Sequence, residues 1–510
     1  MSALPEGGAL RAWAYALALI VLCLPVLSPD VWWHLSAGRW IWAHGAVPAV
    51  DSFSFTRAGA PWIDFEWLFQ LLLHPFGLLG DWGLWLAKAL LLGLAFWPLD
   101  GLLRDRDASP LSRALGAALW AAAILPKADL RADLVSAAFF AWQLRRFSSG
   151  KSSFLFGFGA FACWANLHAG FALGLALYPA WALVLWLARR KRPEGLGAEA
   201  CGAALGVLMN PYGLSLFGVF MAHALDPVRA GVAEWGAFSL RPPFHWPLAA
   251  ALAAGTWAAW RARKSEPALA AAALSLTAAT LYSTRFNVYW PAAAVPLLAP
   301  AISAELALAA LTLLFAAALR VVEFGRPYQD VFVARRAADF VAAERGVFAP
   351  LRVFNTYEWG GYLGWRLGPG SRVYGDGRYL FHGQLGELQE ALSGDAPMAA
   401  FVERNRLEAL LIRSYEQRLP GVRVYPDGSR RALSRPWYVT YLPRERWALV
   451  WWDRAALVFV ERAKAPASWL AAHEYRWWRP GDGAALEDAL SRGEAPKEAV
   501  EAERRRHDAD

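Results

Sequence analysis

Sulfur and charge are both scarce in this chain. It has only three cysteines in 510 residues. Cys23, Cys163 and Cys201 each fall in an apolar run, which excludes a disulfide framework or a thiolate metal site and reads as three buried, inert thiols. Charged residues make up 18%, against about 25% in an ordinary soluble protein, and they are clustered. His-Glu-x-x-His and paired-cysteine templates are absent, as are a Gly-rich phosphate loop and a nucleophile elbow. Soluble nucleotide chemistry is thereby excluded, and no repeat of solenoid period is evident. Apolar and aromatic residues are abundant: 57% of the chain is hydrophobic, with 29 tryptophans. That balance predicts a polytopic membrane protein with one appended soluble part.

The net charge of +8 does not point to nucleic acid, because the basic residues lie in short runs between apolar segments. Arg104/Arg106/Arg113, Arg145/Arg146/Lys151, Arg189-Arg190-Lys191-Arg192 and Arg261/Arg263/Lys264 all fall on one side if 66–79 lies flat at the interface. They fall on both sides if 66–79 crosses. The positive-inside rule favours the first arrangement and puts the clusters in the cytoplasm. Spans are then expected near 11–27, 82–103, 111–126, 133–147, 152–165, 169–188, 198–210, 245–260, 267–283, 286–301 and 304–320, about eleven in all. The first lacks a cleavage site, with Pro29-Asp30 where small residues would be needed, and reads as a retained span. Segment 214–225 suits a second interfacial helix or a further span.

Between the first two spans lies an outer loop, 29–80, in which acids and His34 alternate with tryptophan: Pro29-Asp30-Val-Trp32-Trp33-His34, Asp51-Ser-Phe-Ser-Phe-Thr56, Asp64-Phe-Glu66-Trp67. Indole rings suit the headgroup zone, and a carboxylate at such a boundary is costly unless something pairs or uses it. The other unusual polar residues fall at the same end of the expected bundle: Lys127, Asp129, Arg131 and Asp133; Asn166 and His168; Asn210; Glu234; Arg285 and Asn287. Each has a bland reading, as a surface ion pair or helix cap. Pooled at one end, they predict a functional outer face and not a through-pore. Asp51, Asp64 and Glu66 are expected to fold the loop through turn and cap contacts, and Trp32 and Trp33 to anchor it at the interface.

After Arg320, charged residues become frequent and β-rich runs alternate with helical ones. Helices are expected at 335–345, 385–392 and 398–405, and strands at 351–354, 371–374, 409–412, 448–452 and 456–460. The organisation predicted is a membrane domain over 1–320, an extracytoplasmic α/β domain over 321–480 and a polar tail over 481–510 that forms a loose helix or is disordered.

Asp30-x-Trp-Trp-His34, Gly45-x-x-Pro48, Asp51-Ser-Phe-Ser-Phe-Thr and Glu66-Trp67-Leu resemble the first outer loop of GT-C-type membrane glycosyltransferases. Trp164-Ala-Asn166-Leu-His168-Ala-Gly170-Phe, Asn210-Pro-Tyr-Gly213, Glu234-Trp235 and Thr284-Arg285-Phe are similar to a bacterial group of GT-C-like proteins. The soluble part resembles that of oligosaccharyltransferase catalytic subunits. Asn355-Thr-Tyr357-Glu358-Trp359-Gly360-Gly361 stands where they carry Trp-Trp-Asp-Tyr-Gly, and Gly375-Asp376-Gly377-Arg378 follows. The paired Trp and its Asp are missing, and Arg131 interrupts the second acidic motif.

The resemblance implies a helical GT-C-like bundle with a C-terminal α/β domain that transfers a sugar from a polyprenyl-phosphate-linked donor, at the extracytoplasmic face, to a saccharide, lipid or protein acceptor. Asp30 matches the catalytic first-loop acid, and Asp129 or Asp133 would supply the second. These three would hold a divalent cation, Mg or Mn, if one is used. Tyr357, Glu358 and Trp359 would face the acceptor. From the chemistry of the residues, Arg285, with Lys127 and Arg131, would offset charge on the departing phosphate. His34 and His168 would move a proton or bind phosphate, and Asn166 and Glu234 would line the site. The alternative is a non-catalytic membrane scaffold or transport partner in envelope polysaccharide assembly.

Overall fold

A computed structural model describes residues 7–219, 236–330, 332–414, 417–425 and 427–509. The chain divides into two compact units. The first comprises residues 1–28, 37–49 and 63–329, and the second 29–36, 50–62 and 330–510.

The first unit is helical. Its helices are α1 (Gly8–Cys23), α3 (Trp67–Gly77), α4 (Gly80–Asp105), α5 (Pro110–Ile124), α6 (Asp133–Ser148), α7 (Phe154–Leu167), α8 (Phe171–Leu187) and α9 (Leu196–Val207), followed by Trp246–Ala262, Pro267–Tyr282, Trp290–Leu298 and Ala304–Ala318. Each segment expected to span is helical within a few residues of the expected limits. Among the described residues one helix, α4, is long and apolar enough to cross a membrane alone, and six more apolar helices have 10–17 residues. Local signals set several boundaries. Ser109 caps α5, its side chain accepting from Ser112 N, with Pro110 in the first turn. Ser303 does the same for Leu306 N.

The tightest helix packing uses glycine. A Cβ at Gly157, Gly202 or Gly206 would lie 2.2 Å from a backbone carbonyl oxygen of the facing helix: Glu199, Phe154 and Phe158 respectively. Gly202-x-x-x-Gly206 thus lets α7 and α9 approach backbone to backbone, as small-residue spacing does in apolar bundles.

Lys88 is fully buried in the middle of α4 and donates through Nζ to the Leu24 carbonyl just beyond α1. The expectation of buried thiols is corrected: all three cysteines are free and exposed. They sit on outward faces of apolar helices, where hydrophobicity does not imply core burial.

The second unit centres on a four-stranded sheet, ordered β1-β2-β6-β5. Its strands are β1 (Val353–Asn355), β2 (Ala409–Arg413), β5 (Trp447–Trp452) and β6 (Ala456–Glu461). β1 runs parallel to β2, and the other pairings are antiparallel. Leu410, Ile412, Leu449, Leu457 and Phe459 face a core completed by Phe354, Tyr374, Phe401 and Trp437. A separate hairpin joins β3 (Arg418–Val424) to β4 (Arg430–Pro436).

Three further expectations are corrected. Residues 371–374 form no strand, only an isolated bridge between Ser54 and Val373. The loop after the first apolar helix opens with a helix, α2 (Asp30–His44), whose first-turn Asp30 complements the helix dipole. The polar tail is helical, one of its two expected states, but packed instead of loose or disordered, as two helices, Gly483–Ser491 and Lys497–Ala509. Asp488 accepts from Tyr425 Oη (2.8 Å) and Arg431 Nη1 (2.8 Å). Glu503 takes the backbone N–H groups of Arg476, Trp477 and Trp478 at 2.7–3.0 Å.

Candidate active site

Each unit contains one constellation of the residues singled out in the sequence. In the second unit, Asp30 opens α2, and Trp33 Nε1 donates to its Oδ1 at 3.3 Å. The Trp33 indole lies against His34, which is 5% exposed, with the rings tilted by 32° and their centroids 3.6 Å apart. Gly377 presses on this group: a Cβ there would lie 2.3 Å from Asp30 Oδ1 and 2.9 Å from Trp33 Nε1. Tyr357 Oη donates to the Gly377 carbonyl at 2.7 Å. Gly361 lies against the start of α2, where a Cβ would be 3.0 Å from Trp33 N. The Tyr-Glu-Trp-Gly-Gly and Gly-Asp-Gly-Arg segments therefore meet at the first-loop carboxylate.

A buried charge network holds the Gly377 turn. Arg378 bonds Asp376 through Nε (2.8 Å to Oδ1) and Nη2 (2.9 Å to Oδ2), and reaches Asp51 Oδ1 at 2.8 Å. All three residues are at most 3% exposed. Burial opposes the guanidinium charge, but Asp376 and Asp51 outweigh it and hold the Arg378 pKa above its ordinary value. The guanidinium also lies over the Trp62 ring, 4.6 Å from its centroid. Asp51 additionally accepts from the N–H groups of Phe53 (3.1 Å) and Ser54 (3.2 Å), the loop-folding role expected of it. Glu358 lies 3.4 Å from Arg413, and Trp359 is 4% exposed beneath the same guanidinium. In this arrangement Trp359 packs the domain, Glu358 forms a partly exposed ion pair, and Tyr357 is the member of the motif placed beside Asp30.

In the first unit, the polar groups gather around the start of α6. Asp133 is 6% exposed; its Oδ2 lies 4.0 Å from Lys127 Nζ and 3.9 Å from Arg131 Nε. Its Oδ1 is buried with no hydrogen-bond partner. One turn on, Ser136 Oγ accepts from Trp164 Nε1 (2.6 Å) and lies 2.7 Å from His168 Nδ1. Gly170 N donates to that same Nδ1 (3.1 Å), which assigns the ring proton to Nε2, the edge 3.8 Å from Glu66 Oε1. Tyr289 bonds Ser136 and feels the charges of both Asp133 and Arg285. Asp133, His168 and Arg285 thus belong to one neighbourhood with Lys127 and Arg131.

Two other candidates, Asn166 and Asp129, are held by contacts to backbone and neighbouring helices. Asn166 accepts from Trp67 Nε1 (2.7 Å) and donates to the carbonyls of Ala162 (2.7 Å) and Met209 (2.9 Å), tying α3, α7 and the end of α9 together. Asp129 accepts from Leu27 N (3.1 Å) and Leu130 N (2.7 Å) and offsets the charge of Lys88. Burial pushes its carboxyl above the ordinary value, against the pull of Lys88. Glu234 lies outside the described residues, as does the second half of 214–225.

Sequence reasoning passed over Ser136 and Tyr289, and it named Gly377 and Arg378 only as part of a motif, without a role. Only Gly-Asp-Gly-Arg carried a readable signal, an acid and a base flanking a glycine. Among the described residues no three His, Cys, Asp or Glu side chains come close enough to hold a metal ion. A divalent cation at Asp133 would need most of its oxygen ligands from backbone, water or substrate.

No protein-family model matches the chain, and no curated protein sequence matches it. Solved structures do. The chain is similar to the oligosaccharyltransferase AglB of Archaeoglobus fulgidus in complex with an inhibitory peptide and a dolichol-phosphate: 13% identity, TM-score 0.55, covering 95% of this chain and 82% of that one. The apo form of the A. fulgidus oligosaccharyltransferase gives 12% identity, TM-score 0.55 and coverages of 94% and 82%. ArnT of Cupriavidus metallidurans bound to undecaprenyl phosphate gives 13% identity, TM-score 0.52 and coverages of 91% and 100%. The chain has a GT-C-like fold.

Proposed function

We propose that this protein is an integral membrane glycosyltransferase that moves a sugar from a polyprenyl-phosphate-linked donor to an acceptor at the extracytoplasmic face. The observation that carries the reading is the fold, shared over nearly the whole chain with two proteins each captured with a polyprenyl-type lipid phosphate. Membrane insertion is supported by apolar side chains left exposed on the helices: Trp82, Trp97 and Trp186 are 59–65% exposed. Large exposed apolar surface of this kind needs a partner, and lipid supplies one.

In the transfer, the bond between the anomeric carbon and the lipid phosphate oxygen breaks, and the phosphate leaves with the electron pair. The acceptor hydroxyl oxygen bonds to the anomeric carbon, and its proton passes to a carboxylate. We assign that carboxylate to Asp30, oriented by Trp33 Nε1. Within the first unit, Arg285, Lys127 and Arg131 are the cations suited to offset charge on a lipid phosphate, and Asp133, with its unpartnered Oδ1, is the carboxylate beside them. No step is routed through a cation.

The test is transfer of label from undecaprenyl-phosphate-linked sugars by purified protein in proteoliposomes. Asp30→Asn is expected to fold normally and lose about 10²-fold or more of the rate. Full activity in that variant would remove Asp30 from the chemistry, and absence of transfer by the wild-type protein would mean a scaffold. Gly377→Ala gives an independent check. The added methyl would lie 2.3 Å from Asp30 Oδ1 and 2.9 Å from Trp33 Nε1, so the carboxylate and the indole that orients it must both shift, and transfer should fall in the folded variant. Unchanged transfer would remove Asp30 from the chemistry.

A further inference from the structure

The second unit holds a concavity built from elements other than those around Asp30. The β3–β4 hairpin and helix Gly483–Ser491 enclose a cavity of about 460 Å³, lined by Arg423, Arg435, Arg444, Trp477, Asp482 and Glu494 among others. That volume suits a small ligand. Asp482 is taken up by Arg435 (Nε to Oδ1, 3.0 Å). Arg423 is neutralised by Asp488 (2.8 Å) and Glu494.

Arg444 has no such carboxylate. Its Nη2 donates to the Arg476 carbonyl at 2.8 Å, and its Nε is buried with no partner. Arg479, within electrostatic reach, is 6% exposed; its Nε donates to the Tyr475 carbonyl at 2.8 Å, and its Nη2 is likewise buried and unpartnered. Burial first, then the neighbouring positive charges, holds both guanidiniums below their ordinary values, with Arg479 pushed down to about 10. A buried donor left unmade costs about 1–3 kcal/mol, and more when charged. Arg444 thus brings to the cavity a guanidinium that no described carboxylate hydrogen-bonds, while Arg479, outside the lining, adds positive charge nearby and Asp482 and Glu474 only partly offset both.

We propose that this cavity binds a saccharide carrying an oxyanion, either carboxylate or phosphate, which Arg444 grips with its guanidinium fork while the half-buried Trp477 supplies a ring face for the sugar. A planar guanidinium matches both oxyanions in bidentate geometry. An indole offers apolar area with a polar edge. The site goes beyond the transferase reading and does not rest on it, because binding is read without turnover.

The experiment is isothermal titration of the full-length protein in detergent with glucuronate, glucose 6-phosphate, glucose and inorganic phosphate. At least one acidic sugar should bind while glucose does not, and the tighter of the two identifies the oxyanion. Inorganic phosphate should bind about tenfold more weakly than that sugar. Arg444→Gln should weaken the acidic sugar about tenfold or more, with Arg444→Lys partly restoring it. Trp477→Ala should bring the sugar down to the level of phosphate. Binding by neither acidic sugar, equal binding by glucose or by phosphate, or unchanged affinity in a folded Arg444→Gln variant would each overturn the proposal. If Arg444→Gln fails to fold, wild-type affinity in Arg444→Lys overturns it as well.

Discussion

Replacing Arg378 by alanine is expected to destabilise the second unit by about 3–5 kcal/mol, because it strands two carboxylates where water cannot reach them. Asp51 and Asp376 are 2% and 3% exposed, and Arg378 is the cation that bridges them. Such a loss approaches the whole stability of an ordinary domain, about 5–15 kcal/mol. Thermal unfolding of the full-length protein in detergent should show a fall of roughly 10 °C. Arg378→Lys should recover little of it, since one ammonium cannot serve both Asp376 oxygens and Asp51 together. The consequence extends to the site: the residue before Arg378 is the glycine laid against the Asp30 carboxylate. A folded fraction of the variant should therefore also lose transfer. Melting indistinguishable from wild type would show that the network contributes nothing.

That linkage marks where the sequence could and could not be read. Apolar runs of Leu and Ala between arginine clusters placed the helices of the first unit well, because burial or lipid contact demands hydrophobicity along a whole segment and tertiary detail matters little. Strands such as 409–412 and 456–460 were legible for the same reason, being buried on both faces. The β3–β4 hairpin was not. Its strands read Arg-Leu-Pro-Gly-Val-Arg-Val and Arg-Arg-Ala-Leu-Ser-Arg-Pro, rich in residues that neither period nor β-propensity favours. What holds it includes long-range charge: Arg423 and Arg431 both meet Asp488, more than fifty residues on. The folded tail was hidden likewise, since Glu503 acts on N–H groups some 26 residues earlier. In the site, Asp30 and its tryptophans announced themselves by composition. The glycine that positions Asp30 and the serine beside His168 carry no chemistry of their own, and only the fold brings them into place.

Asp129→Ala should cost about 3–5 kcal/mol in the first unit, because Lys88 is a lone lysine inside α4, the longest apolar helix among the described residues. A charge in such a place demands a partner. Its ammonium donates to the Leu24 carbonyl, and the Asp129 carboxylate offsets its charge while accepting from Leu27 N and Leu130 N. Removing the carboxylate alone leaves a buried cation uncompensated and two N–H groups unmatched. Replacing both charges together, as Lys88→Met with Asp129→Asn, keeps an acceptor for the N–H groups and removes the cation. Most of the stability should return, because buried charges exchanged for neutral groups of similar volume are often tolerated. Thermal melts of the two variants give the first answer, and transfer assays on the double variant give the second. If Asp129 anchors the backbone, the folded double variant keeps its transfer, and the second acid of the chemistry is Asp133. If transfer is lost while stability returns, the carboxylate of Asp129 acts on substrate, and its bonds to Leu27 and Leu130 serve to aim it.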